Sequence, residues 1–212
     1  MSTKEQDLEA YLSANSKPES QVLYELARYT NLNTFNPRMV SGHIQGKLFE
    51  MIVHMVNPKR VLEIGTFTGY SAICIASALS DNAILDTIEV NDELEDTART
   101  FFDKSGLSSK INLHIGSALE IVPKLPFSYQ LAYIDGDKRE YPNYFNLVLP
   151  KVEPGGFIIA DNVLWNGKVT DKNCNDLHTK AINEFNQMVT TDTRVDNVLL
   201  PIRDGLMLIR KL

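Results

Sequence analysis

Apolar residues recur along this chain at two spacings, and the switches between them lay out the elements. Residues 5–12 and 22–32 are apolar at every third or fourth position. That spacing predicts two amphipathic helices separated by the breaker-rich Ser16-Lys17-Pro18-Glu19-Ser20, with Ser20 placed to cap the second. Asn36-Pro37 stops that helix, and Ile44, Leu48, Met51, Ile52 and Met55 mark a third over 44–56. From residue 61 onward short β-branched runs alternate with helical stretches. Strands are expected over 61–64, 84–90, 111–115, 131–134 and 156–160, and helices over 70–79, 92–105, 118–125 and 141–149. Alternation of this kind predicts a parallel sheet covered by helices. A polar loop over 165–176, a helix over 177–190 and two runs, 195–202 and 206–209, close the chain. Asp204-Gly205 between those runs is a hairpin signal, so the final pair is expected to be antiparallel. With no repeat, low-complexity tract or linker, residues 1–212 read as one domain, a helical cap segment over 1–56 on an α/β core over 57–212.

The first strand runs into Gly65-Thr66-Phe67-Thr68-Gly69 before helical spacing resumes at Tyr70. Glycines at a strand-to-helix crossing let a ligand approach the backbone, and in an open α/β sheet such ligands lie outside the carboxyl ends of the strands. Glu89, closing the second strand, sits about 20 residues further on, where a carboxylate can bond a ribose diol. This much fits a nicotinamide dinucleotide as well as S-adenosylmethionine. A dinucleotide, however, needs glycine where Phe67 and Thr68 stand, and Glu63 would set a carboxylate beside its phosphates. S-adenosylmethionine carries a sulfonium, an ammonium and no phosphate, so an acidic strand end with Ser71 available for its carboxylate suits it better.

Two later strands also end in acids, Tyr133-Ile134-Asp135-Gly136-Asp137-Lys138 and Ile159-Ala160-Asp161-Asn162. Right-handed crossovers make these strands neighbours, so both clusters emerge above the crevice that Gly65 opens. Asp135, Asp161 and Asn162 offer oxygen without imidazole or thiolate, the ligand choice for Mg²⁺, Mn²⁺ or Ca²⁺. Lys138 can reach the same spot as a general base or as a cation holding a phenolate, the ordinary alternative being a solvated lysine.

Composition narrows the partners. Lys+Arg 21 against Asp+Glu 27 gives a formal charge of -6, which argues against a nucleic-acid backbone. Cys74 and Cys174 lie far apart without a C-x-x-C partner, so no disulfide or zinc site is expected, which suits a reducing cytoplasm. Residues 1–15 lack the pattern of a signal peptide and no run approaches ~18 apolar residues, so no membrane partner is expected. His43, His54, His114 and His178 all fall outside the acidic cluster.

Glu63-Ile64-Gly65-Thr66-Phe67-Thr68-Gly69-Tyr70-Ser71, the Tyr133–Lys138 motif and the stretch from Ile159 to Gly167 together resemble the cation-dependent class I O-methyltransferases, the group that includes caffeoyl-CoA and catechol O-methyltransferases. The resemblance spans residues 39–212 and rests on three motifs in family order and spacing. It implies a Rossmann-like α/β fold, a seven-stranded, mostly parallel sheet of order 3-2-1-4-5-7-6 with the last strand antiparallel, here with added N-terminal helices. It implies methyl transfer from S-adenosylmethionine to a hydroxyl of a small catechol-like or caffeoyl-type acceptor, by a homodimer. A nicotinamide-dependent oxidoreductase and a non-catalytic S-adenosylmethionine-binding protein are the alternatives. By resemblance, Ser41, Glu63, Gly65, Thr66 and Ser71 hold the methionine end of the methyl donor, Glu89 its ribose, Ala118 the adenine side and Asp137 the amino group. Asp135, Asp161 and Asn162 hold the cation, with Asp135 and Lys138 beside the reacting hydroxyl, and Tyr144 and Trp165 border the substrate. The 165–176 loop departs from the family in being short and polar, and no counterpart is evident of the carboxylate that grips the second hydroxyl in animal catechol enzymes.

Overall fold

The computed structural model describes residues 3–212, with side chains described from residue 7 onward; Met1 and Ser2 of the amino-terminal reading lie outside it. Seven strands form one sheet of order β3-β2-β1-β4-β5-β7-β6. They are β1 (Arg60–Ile64), β2 (Ile84–Glu89), β3 (Ile111–Ile115), β4 (Tyr129–Ile134), β5 (Val152–Asp161), β6 (Val195–Leu200) and β7 (Leu206–Lys211). The first five run parallel, and β7 is antiparallel to both β5 and β6. Successive side chains of a strand point to opposite faces, and both faces here are apolar. Val61, Leu131, Tyr133 and Ile159 enter one core, while Leu62, Ile64, Ala132, Ile134, Ile158 and Ala160 enter the other.

The first core lies under α2 (Gln21–Asn33), α3 (His43–Val56), α4 (Tyr70–Ala78) and α5 (Glu95–Ser105), and the second under α6 (Ala118–Ile121), α7 (Tyr141–Val148) and α8 (Leu177–Thr191). Helix α1 (Thr3–Ala14) precedes them. Ser20 caps α2 as expected, its hydroxyl accepting from Leu23 N at 3.4 Å. Proline explains where helices fall short of the sequence reading. The expected helix over 118–125 stops at Ile121 and tightens into a 3-10 turn containing Pro123, and the one over 141–149 gives way to a turn containing Pro150. The helix expected from residue 92 begins as a 3-10 turn, Asp92–Leu94, with Asn91 capping it. The 165–176 loop contains 3-10 structure over Trp165–Thr170, broken by left-handed residues at Asn166 and Gly167.

The order reverses between β1 and β4, the switch point at which open sheets of this kind take their ligands. Gly65 follows β1 with φ 104, and a Cβ there would run into the main-chain oxygen of Asp135 at the end of β4. Only glycine lets the two strand ends close to this separation.

Candidate active site

Register places the acids on one face. Glu63 pairs with Thr87 on one side and Tyr133 on the other, and Tyr133 pairs with Ile159. Two residues further along each strand stand Glu89, Asp135 and Asp161. A period of two carries all of them toward the layer formed by α2–α5.

A small cleft at the switch point is lined by Ser41, Gly65, Thr66, Ser71 and Asp135, all singled out from sequence, with Tyr70 at its side. Glu63 lies fully buried behind it. Thr87 donates to Glu63 Oε2 at 2.5 Å, and Thr66 and Thr87 hydroxyls meet at 2.6 Å, while Oε1 makes no hydrogen bond among the described residues. Burial pushes the Glu63 carboxyl up to about 7; Ser71 and Thr87 lie close enough to oppose that shift, and Asp135 and Glu89 add to it. Glu89 accepts from Phe67 N at 2.6 Å and from Asn91 N at 2.9 Å, so the glycine turn is clamped to the end of β2. Burial raises its carboxyl too, against those main-chain bonds.

Ala118 is buried at the start of α6, near a chain whose Gly116 N bonds Glu89 O at 2.7 Å. Asp137 stands apart: its carboxylate is exposed and gripped by Arg139, which holds it below the usual carboxylate range.

Asp135 and Asp161 converge on one phenol. The Tyr133 hydroxyl lies 3.2 Å from Asp135 Oδ2 and 2.9 Å from Asp161 Oδ2. Asp161 also accepts from Gln45 Nε2 at 2.5 Å and, through Oδ1, from Asn162 N at 2.7 Å. Burial raises the Asp135 carboxyl, Lys138 opposes this, and the nearby Asp161 adds to it. Lys138 is buried, not solvated, and donates at 2.6 Å to Asp135 Oδ1 and at 2.6 Å to Tyr141 Oη. Tyr141 in turn donates to Asp161 O at 2.8 Å.

Asn162 follows at φ 57 with no side-chain hydrogen bond among the described residues. Two repelling carboxylates and a free carboxamide, all oxygen donors, fit a hard divalent cation. Among the described residues no group of three or more His, Cys, Asp or Glu could hold a metal, so such an ion would need water or substrate oxygen as well.

Tyr144 is buried against Gly136, and Trp165 stacks on His178 with centroids 5.5 Å apart, its buried Nε1 without a hydrogen-bond partner among the described residues. Sequence reasoning missed Tyr133, Tyr141, Gln45 and Arg203 as parts of the site. The period-two relation of Tyr133 to Asp135 was a usable signal; Gln45, 116 residues from Asp161, gave none.

Known proteins share this architecture. A family model described as O-methyltransferase matches residues 12–212. A probable caffeoyl-CoA O-methyltransferase of Dictyostelium discoideum is 33% identical over 95% of this chain and 90% of its own. A catechol O-methyltransferase of Niastella koreensis is 36% identical over 74% and 72%. The crystal structure of an O-methyltransferase from Streptomyces achromogenes involved in tomaymycin synthesis, in complex with SAM, superimposes with TM-score 0.91 at 27% identity, over 100% of this chain and 99% of that one. The chain belongs to the O-methyltransferase family. That membership sets aside the nicotinamide-dependent oxidoreductase alternative, and the observed sheet order agrees with the fold the resemblance implies.

Proposed function

We propose that the protein transfers a methyl group from S-adenosylmethionine to a hydroxyl of a small catechol-like or caffeoyl-type acceptor, assisted by a divalent cation (Mg²⁺, Mn²⁺ or Ca²⁺). The position of Asp135 carries this reading: it lines the glycine-floored cleft and also shares the Tyr133 hydroxyl with Asp161. A methyl-donor pocket and a hydroxyl-binding cluster therefore meet at one residue.

On the donor side Glu63 and Glu89 have no cationic side chain within ion-pair distance among the described residues, which suits a ligand bearing positive charge. S-adenosylmethionine supplies an electrophilic methyl on sulfur. Ser41, Gly65, Thr66 and Ser71 would hold its methionine end, Glu89 the ribose, and Ala118 the adenine side. In this structure Asp137 serves Arg139, so it would have to exchange that partner to take the amino group.

On the acceptor side Asp135, Asp161 and Asn162 would hold the cation, which favours the ionised form of a coordinated hydroxyl. An ammonium has three N–H bonds, and Asp135 and Tyr141 take two from Lys138. The third is left for the acceptor oxygen, which Lys138 would hold as an oxyanion once the hydroxyl proton has passed to solvent. Tyr144 and Trp165 would wall the ring. Alignment of oxygen, methyl and sulfur then supplies most of the acceleration.

The enzyme is further proposed to act as a cytoplasmic homodimer; fully exposed Phe35 and exposed Leu32 offer apolar surface for a second copy. Among the described residues no helix is long and apolar enough to cross a membrane. The test is methyl transfer to catechol, a caffeoyl ester and a monophenol, using EDTA-stripped protein with and without Mg²⁺. Two adjacent hydroxyls can chelate an ion where one cannot, so the diols should react faster, and only with metal restored. Full turnover by protein shown to be metal-free would remove the cation, and no transfer to any hydroxyl would remove the function.

A further inference from the structure

One side chain outside the motifs touches the cleft wall directly and reaches Asp161 through a single intervening amide. Arg203, in the turn between β6 and β7, has φ 52, a backbone conformation unfavourable for a residue with a Cβ. Its guanidinium donates to Ser41 O, to Val40 O at 3.3 Å and to Gln45 Oε1 at 2.7 Å. Val40 and Ser41 line the methyl-donor cleft. Gln45 is buried on α3, and its amide can point only one way: with Oε1 taken by Arg203, Nε2 must face Asp161 Oδ2, at 2.5 Å, and Tyr133 Oη, at 3.3 Å. An arginine in an unfavourable backbone conformation, spending its fork on the cleft wall and on an amide, is better explained by positioning than by surface charge.

We propose that Arg203 and Gln45 are positioning residues that tie the methyl-donor wall to the acceptor carboxylate Asp161. Arg203 acts on the donor side directly, through the Val40 and Ser41 carbonyls, and on the acceptor side only through Gln45. Gln45 acts by holding Asp161 Oδ2, the same oxygen that meets the Tyr133 hydroxyl. The inference deepens the methyl-transfer reading and rests on it.

A double-mutant cycle of Arg203→Lys and Gln45→Met tests this, with melting temperature followed throughout. Four quantities are read: kcat and KM on catechol, the Kd of S-adenosylhomocysteine by calorimetry, and the Kd of Mn²⁺ alone by electron paramagnetic resonance. Gln45→Met should lower kcat and weaken Mn²⁺ about tenfold or more, as loss of a partner behind a ligand does, leaving S-adenosylhomocysteine within about twofold. Arg203→Lys should weaken both ligands. In the Gln45→Met background Arg203→Lys should still weaken S-adenosylhomocysteine but leave kcat and Mn²⁺ affinity unmoved. Additive losses in kcat and Mn²⁺ affinity would overturn the proposal, as would variants that change melting temperature alone. Gln45→Asn, one methylene shorter, replaces Gln45→Met if the latter does not fold. A wild type that transfers no methyl group would overturn the proposed function and this inference together, whereas an active wild type with an additive cycle would overturn the inference alone.

Discussion

At the ends of β1 and β2, Glu63 and Glu89 are buried among neutral partners, whereas at the ends of β4 and β5, Asp135 and Asp161 share a phenol and Asp135 also pairs with a lysine. The same sheet edge thus handles buried acid in two ways. On the side proposed for the methyl donor, hydroxyls and main-chain N–H groups hold each carboxyl group in place and no cationic side chain among the described residues pairs with it, so the pocket is shaped in advance. On the side proposed for the acceptor, charged and hydroxyl groups are packed together and each fixes the position of the next: Lys138 to Asp135, Lys138 to Tyr141, Tyr141 to the main-chain oxygen of Asp161. The first arrangement suits recognition of a charged ligand, and the second suits control of a reacting proton.

The sharpest way to break the contrast is at Lys138. Lys138→Met keeps the length of the side chain and removes the charge. Methyl transfer should fall about 10²–10⁴-fold, while the affinity for S-adenosylhomocysteine, measured by calorimetry, stays close to wild type. A parallel loss of affinity would mean that the two halves are not separate.

Glu63 tests the other half through pH. Its folded carboxyl titrates near 7, above the ordinary 4.5, so between those values the folded state holds a proton that the unfolded chain releases. The stability it contributes is complete below about 4.5 and is lost as pH rises through 7. Glu63→Gln keeps the neutral shape, so relative to it the ligand-free wild type should lose about 3 kcal/mol across that window. Denaturant melts of both proteins at pH 5 and pH 8 measure the difference. A gap that does not change with pH would show that Glu63 stays ionised throughout.

Glu89→Ala should act more weakly on binding. It removes the acceptor for Phe67 N and the carboxylate proposed for the ribose, and S-adenosylhomocysteine should bind about 1.5–3 kcal/mol less tightly. Unchanged calorimetric affinity in a folded variant would take Glu89 out of the pocket.

The two halves were unequally legible in the sequence. Glycine spacing, β-branched runs and Asp204-Gly205 are local signals, and the parallel sheet with an antiparallel final pair that they predict is observed, with errors mainly where proline shortened a helix; the strand order was implied only by the family resemblance. The acids at strand ends were legible because parallel topology forces strand ends together. Their neighbours were not. The burial of Lys138 depends on Tyr141 and Asp135 closing over it, and the link from Gln45 to Asp161 spans 116 residues and follows no period. Periodicity locates elements; it does not report which polar side chains on different elements will meet.

The smallest expected effect lies where an added helix meets the glycine turn. Thr30, in the last turn of α2, bonds Thr68 in the glycine turn at 2.9 Å, and both are fully buried. Thr30 also donates its one hydroxyl proton to Leu26 O at 2.8 Å, so Thr68 must be the donor in the pair. Thr30→Val preserves shape and leaves the Thr68 hydroxyl buried without an acceptor, which should cost about 1 kcal/mol of stability. Thr68→Val in the same background removes the stranded group and should restore most of that loss, because deleting both partners of a buried bond is close to neutral. Melts of the wild type, Thr30→Val and the double variant decide it. If the double variant is instead the least stable, the pair acts by packing rather than by hydrogen bonding. If either variant also lowers S-adenosylhomocysteine affinity, the helical cap holds the methyl-donor turn in its binding geometry as well as covering it.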